Sequence, residues 1–233
     1  MAANRFFKPF LGRHYHEGIS GKKILVIGNS FYCSHQQDCR YFKECTDITR
    51  KDSSRFDDIC MALGYEKERL SNTPSVELSH WYRDNEAKGY MSYRNFGEFL
   101  SGYVEGTDGS SVWQYVAFTN YVQFFVPSAI SGMEVISKRD FEAFKETVLE
   151  LEPDIVFVWG SIAGEAIRCG REEVYDYDKP EFHEKDGYVC HMKLPGLDKD
   201  IVIMNTCHPC NMYGWWTSGL TALKKYADEE IRR

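Results

Sequence analysis

No stretch of the 233-residue chain approaches the ~20 consecutive apolar residues that a bilayer-spanning helix needs, although 43% of its residues are hydrophobic. The early apolar cluster from Phe6 to Leu11 is too short and too interrupted for a signal peptide. The expectation is therefore a soluble, intracellular and by default cytoplasmic protein with no membrane partner. An excess of positive charge is also lacking. Lys and Arg number 28 against 35 Asp and Glu, a formal charge of −7, which argues against a broad phosphate-neutralising surface and leaves room for a small local basic patch. Eight cysteines are too thinly spread for the dense disulfide framework of a small secreted domain, so reduced thiols are expected. Cys207-His208-Pro209-Cys210 has CxxC spacing, and Cys33, Cys39 and Cys45 recur every six residues, but no second CxxC exists. Neither a metal nor a cofactor is expected. Internal repeats and low-complexity tracts are absent. What remains is a chain able to bury a substantial core as one domain, expected to span residues 22–233 behind an irregular N-terminal arm, 1–21.

Four apolar runs organise that domain. Ile24-Leu25-Val26-Ile27 stops in Gly28-Asn29-Ser30-Phe31-Tyr32, and Tyr115 to Thr119 runs into Asn120. Ile155 to Trp159 runs into Gly160, and Ile201 to Met204 into Asn205-Thr206-Cys207-His208-Pro209. Uninterrupted aliphatic and aromatic runs of this length suit strands covered on both faces, as in a parallel sheet. Helices are predicted between them. One begins at Ser53 or Ser54 and carries Phe56, Ile59, Cys60 and Leu63; another carries Tyr93, Phe96, Phe99, Leu100 and Tyr103. The capping-box variant Ser137-Lys138-Arg139-Asp140 opens a third that Pro153 ends, and Gly160-Ser161 opens a fourth. Residues Arg171 to Lys185 are charged enough to read as a surface excursion. Tyr188 to Leu194 reads as a strand able to pair with Ile201 to Met204, and Thr217 to Arg232 as a closing helix. The fold class is α/β, with all four strand exits on one edge of the sheet, where ligands of open α/β sheets gather.

Polar residues at those exits are the candidate site. His208 follows a buried strand, a position suited to an acid/base or electrophilic imidazole, although a loop histidine with a structural hydrogen bond is the ordinary occupant of such a place. Asn120 offers one acceptor and two donors, the complement of one amide edge of a pyrimidine, and serves equally well in an Asx-turn. Asn29 and Ser30 can orient a water or a substrate carbonyl or cap a turn, while Phe31 and Tyr32 can stack on a base or enter the core.

Taken in order, these motifs resemble the uracil-DNA glycosylase superfamily. Ile27-Gly28-Asn29-Ser30-Phe31-Tyr32 corresponds to its first motif, Thr119-Asn120 to its base-reading motif, Glu152 to Gly160 with Ala163 to its third strand and turn, and His208-Pro209 to its last motif. The resemblance implies a three-layer α/β/α sandwich around a central four-stranded parallel sheet. It also implies hydrolysis of the N-glycosidic bond of a damaged or deaminated base, with DNA carrying a flipped or unpaired base, or a free nucleobase, as the partner. By resemblance Phe31 or Tyr32 would stack on the base, Asn120 would read its amide edge, and His208 would stabilise the departing base. The chain departs from the family pattern in three places. Its first motif offers Asn29 and Ser30 but no carboxylate, with Phe31 in the usual proline place. Cys210 stands where Ser is usual, and Trp215 and Trp216 stand in place of an aliphatic wedge. Weak activity is the expectation.

Two other readings compete. Ile27 to Phe31 also resembles the nucleophile block of SGNH/GDSL-type hydrolases, with Ser30 attacking an ester and His208 as base. Asn205 then occupies the place of the Asp that family carries three residues before its His, and its oxyanion-hole Asn has no counterpart after Gly160. The third reading is a non-catalytic nucleobase-binding module that keeps the pocket without the water-activating group.

Overall fold

The structure, a computed structural model, describes residues 4–32, 40, 43, 47, 91–123, 125–126, 135–173, 181–186, 189–210 and 220–232. The helix expected on Phe56 to Leu63 and the residues Trp215 and Trp216 lie outside them. Strands β1 (Phe10–Leu11), β2 (Ile24–Gly28), β4 (Val116–Asn120), β6 (Ile155–Trp159), β7 (Glu181–Asp186), β8 (Val189–Lys193) and β9 (Asp200–Thr206) form one sheet in the order β1-β4-β2-β6-β9-β8-β7. Two short strands, β3 (Phe31–Tyr32) and β5 (Phe125–Val126), pair separately.

The four apolar runs are the neighbours β4, β2, β6 and β9, all parallel to one another. Register aligns Gly28 with Asn120 and Trp159 with Thr206, so their exits share one edge. The sheet is nevertheless mixed and wider than four strands. β1 flanks β4 antiparallel, and β8 and β7 extend the other side antiparallel to their neighbours. β7 corrects the expectation of a surface excursion, because the helix after Gly160 continues to Glu173 and Glu181–Asp186 pairs with β8. Its charged composition is compatible with an outermost strand, where no second partner covers it. The second apolar run enters the sheet at Val116 rather than Tyr115, since Ser111–Tyr115 forms a 3-10 turn whose start Asp108 holds through the Ser110 and Ser111 amides. Residues 4–21 are irregular for most of their length yet packed, with Phe6, Phe7, Phe10, Tyr15 and Ile19 buried.

Alternation along each parallel strand divides the core into two. Ile24, Val26, Phe118, Phe157, Trp159 and Met204 meet helices α1 (Met91–Ser101) and α4 (Leu220–Ile231) on one face. Leu25, Ile27, Val156, Val158 and Ile203 meet α2 (Lys138–Leu151) and α3 (Ser161–Glu173) on the other. Helix α2 begins with a true capping box, Ser137 accepting from the Asp140 amide and Asp140 accepting from the Ser137 amide.

Asp140 also reaches the site edge. Its wholly buried carboxylate accepts from the Gln123 amide at 2.7 Å, and Gln123 Nε2 donates to the Asn120 carbonyl at 2.8 Å. Burial pushes the Asp140 carboxyl up from 3.8 to about 6, against the pull of the Gln123 and Ser137 amides. The folded chain thus holds this proton more tightly than the unfolded chain does. Its contribution to stability is full below about pH 4 and falls as pH rises through about 6, by an amount on the order of 3 kcal/mol. Unfolding free energies of wild type minus Asp140→Asn should decline over that window, and a difference that stays flat with pH would refute the linkage.

Candidate functional site at the carboxyl edge of the sheet

Each outer parallel strand sends one polar side chain inward over a glycine of its inner neighbour. Asn120, at the end of β4, lies against Gly28 of β2 so closely that a Cβ there would collide with the carboxamide and press on Phe118. His208, beyond β9, lies over Gly160, where a Cβ would be 3.6 Å from the imidazole Cδ2 and Gly160 itself adopts φ of +83°. Because β2 and β6 are adjacent, carboxamide and imidazole are both brought toward the centre of the edge. Neighbouring strands lie about 4.8 Å apart, so the roughly 14 Å between β4 and β9 is narrowed from both sides.

An aromatic cluster supports both groups. The Trp159 ring meets His208 edge-on at 6.1 Å between centroids and Phe118 at 5.4 Å, and Tyr93 of α1 touches Phe118 and Trp159 at 5.2 and 5.4 Å. Several polar atoms around this edge are unsatisfied. Asn120 is 4% exposed, and its side-chain amide has no hydrogen-bond partner among the described residues. Asn29 Oδ1, Trp159 Nε1 and Asn205 Oδ1 are buried and equally without partners there. Native interiors leave few such groups, and each costs roughly 1–3 kcal/mol.

The histidine has a defined form. Its Nδ1 accepts from the Cys210 amide at 3.4 Å, with the Cys210 thiol 3.0 Å away. A backbone N–H can only donate, so the Cys210 amide contact assigns Nδ1 as acceptor and the proton to Nε2, while the thiol contact fits either tautomer. Burial lowers the His208 pKa below its ordinary 6.5. The side chain is therefore a neutral imidazole with an Nε2–H donor, a group that stabilises charge developing on a partner without supplying a full proton.

The first loop is tied to the second. Tyr121 N donates to the Gly28 carbonyl and Val122 N to the Asn29 carbonyl, both at 2.9 Å, before β3 and β5 pair in parallel. Ser30 lies between β2 and β3, and its hydroxyl makes no hydrogen bond to His208. For Phe31 and Tyr32 the described part is the strand backbone, so their expected stacking role lies outside it. Asn205 turns away from His208 toward Gly164 of α3, and Nδ1, where an ester hydrolase would place an orienting carboxylate, meets Cys210. Among the described residues no group of three or more His, Cys, Asp and Glu could hold a metal ion, and no helix is long and apolar enough to cross a membrane.

Three features of this edge escape strand-exit reasoning: the Gly28–Asn120 contact, the Cys210–His208 contact and Asn95 of α1. Only Asn95 carried a local signal, a polar residue on the apolar stripe shared by Phe96 and Phe99. A substitution separates the Gly28 contact from the core. Gly28→Ala should displace the Asn120 carboxamide and lower ligand affinity about tenfold or more while costing roughly 1 kcal/mol of stability, because a short side chain yields more readily than backbone. Calorimetric titration beside thermal melting checks both halves, and unchanged affinity would refute the packing argument.

The chain matches no protein-family model and no curated protein. The fold is that of an α/β protein with a mixed sheet, with several buried polar atoms unsatisfied among the described residues at the carboxyl ends of its central parallel strands.

Proposed function

We propose that this protein is a divergent uracil-DNA-glycosylase-like N-glycosyl hydrolase that acts weakly on a deaminated or otherwise damaged base presented outside a stacked duplex. One observation carries the reading: the carboxamide of Asn120 lies against Gly28 and the imidazole of His208 against Gly160, the glycines that end or follow two adjacent central strands. A carboxamide pairs with the donor–acceptor edge of a nucleobase, and an Nε2–H donor meets the negative charge that the base acquires as its glycosidic bond breaks. The order β4-β2-β6-β9 of the parallel strands, with helices on both faces, supports the four-stranded sandwich expected of that superfamily. Asn29 and Ser30 would orient the attacking water by hydrogen bonding alone, since neither can take its proton. Base extrusion costs a few kcal/mol, least where the base is mispaired or unpaired, so a site of limited catalytic power favours those substrates.

The test is incubation with single- and double-stranded oligonucleotides carrying uracil, hypoxanthine or xanthine, followed by cleavage at abasic sites. Slow excision, clearest from unpaired and mispaired positions, is expected. Absence of excision from every substrate would overturn the hydrolase reading, and binding of free uracil without turnover would replace it with a nucleobase-binding module. A gain-of-function variant probes the missing carboxylate. Asn29→Asp should raise the excision rate about tenfold or more, because the new oxygen would take a proton from water and face the cationic sugar; an unchanged or lower rate would remove Asn29 from the water site.

A further inference from the structure

Helix α1 turns an almost wholly apolar face to the sheet, broken at Ser92 and Asn95. Asn95 is 2% exposed, and its Nδ2 donates to the Pro209 carbonyl at 2.7 Å, directly after His208. Its Oδ1 is buried and has no partner among the described residues. A half-satisfied amide in an aromatic core is unfavourable, and a leucine of similar volume would pack there without that penalty. What the amide supplies and a leucine cannot is a fixed donor for the Pro209 carbonyl.

The helix that carries it is firmly anchored. Phe96 meets Phe157 and Trp159 at 5.2 and 5.3 Å between ring centroids, and Phe99 meets Phe157 at 5.9 Å. Gly97 packs so closely on the Gly109 carbonyl that a Cβ could not be accommodated. By contrast, the His208 ring is held by Cys210 of its own loop and by contacts with Gly160 and Trp159. The hydrogen bond from α1 is thus, among the described residues, a side-chain tie from a firmly anchored helix to the backbone directly after His208.

We propose that Asn95 is the positioning residue for His208, holding the Pro209 carbonyl so that the imidazole stays seated over Gly160 with its Nε2–H directed at the cleft. Asn95 does not touch the substrate; it acts through the loop. The inference rests on the glycosyl-hydrolase reading for its catalytic consequence, though not for its structural one. Without the grip from α1, the loop moves away from the sheet and the ring becomes better solvated.

The experiment is an NMR titration of His208 in the full chain, comparing wild type with Asn95→Leu and Asn95→Ala, with His14 and His16 as internal references. Among the described residues, the titratable group in contact with the ring is the Cys210 thiol, which both variants retain. The His208 midpoint, low in wild type, should rise toward 6.5 in both variants while those of His14 and His16 stay in place. Where excision is measurable, kcat should fall about tenfold or more with KM little changed, as misplacement of a catalytic group predicts. A His208 midpoint identical to wild type in either folded variant overturns the inference. A shifted midpoint in a protein that excises nothing supports the positioning role and overturns the hydrolase reading, so the two failures remain separate.

Discussion

Replacing His208 with alanine is expected to lower single-turnover excision roughly 10²–10³-fold, the usual worth of one oriented donor at a developing anion. Trp159 Nε1, the indole N–H donor beside it, is buried in a ring packed against Phe96, Trp113 and Phe118. Thermal stability should change little, since the half-buried ring contributes only its Nδ1 contacts to the amide and thiol of Cys210 in its own loop and edge packing on Trp159. The pH profile adds a second check. Because burial depresses the His208 pKa, any acid-side loss of rate from protonation of this ring should have its midpoint below 6.5. Excision that survives His208→Ala would sink the mechanism, and a rate tracking an ordinary histidine near 6.5 would place the ring in solvent.

Asn120→Ala should be nearly as damaging and for a different reason. The residue is 4% exposed and its carboxamide has no hydrogen-bond partner among the described residues, so removing it should cost the folded state little. Removing it strips the base of a donor and an acceptor in a desolvated site, a loss of about 2–3 kcal/mol or roughly 30–150-fold in affinity or kcat/KM. Stability should stay within about 1 kcal/mol of wild type, because no protein hydrogen bond is lost. Titration calorimetry with free nucleobase and a thermal melt measure the two quantities. A large stability loss with binding retained would make Asn120 a structural residue.

The four central strands were legible because their burial on both faces leaves unbroken apolar runs, as in Ile155–Trp159. Strands at the margins were not. Phe10–Leu11 is too short to show a period, and Glu181–Asp186 is as charged as a surface loop because, among the described residues, it has a neighbour on one side only. Candidate site residues were legible by position, as polar side chains at the ends of those runs, so Asn120 and His208 appear together on the edge where they were expected. Their mutual arrangement was not legible. That Asn120 leans on Gly28 depends on the register of two strands separated by 87 residues of intervening chain. That Asn95 reaches Pro209 depends on where α1 docks, which its own apolar spacing sets only to within the face it presents.

The small ladder beyond the main sheet sets how the cleft can open. Gly28 and Asn29 accept from Tyr121 and Val122, and Phe31–Tyr32 then runs parallel to Phe125–Val126. The segment after β2 and the segment after β4 are therefore one mechanical unit. The two segments cannot swing outward independently, since moving either breaks the same rungs. Amide exchange at Tyr121 and Val122 should consequently slow together when a nucleobase engages Asn120, and the protection should spread across to the strand that carries neither contact with the ligand nor a bond to Asn120.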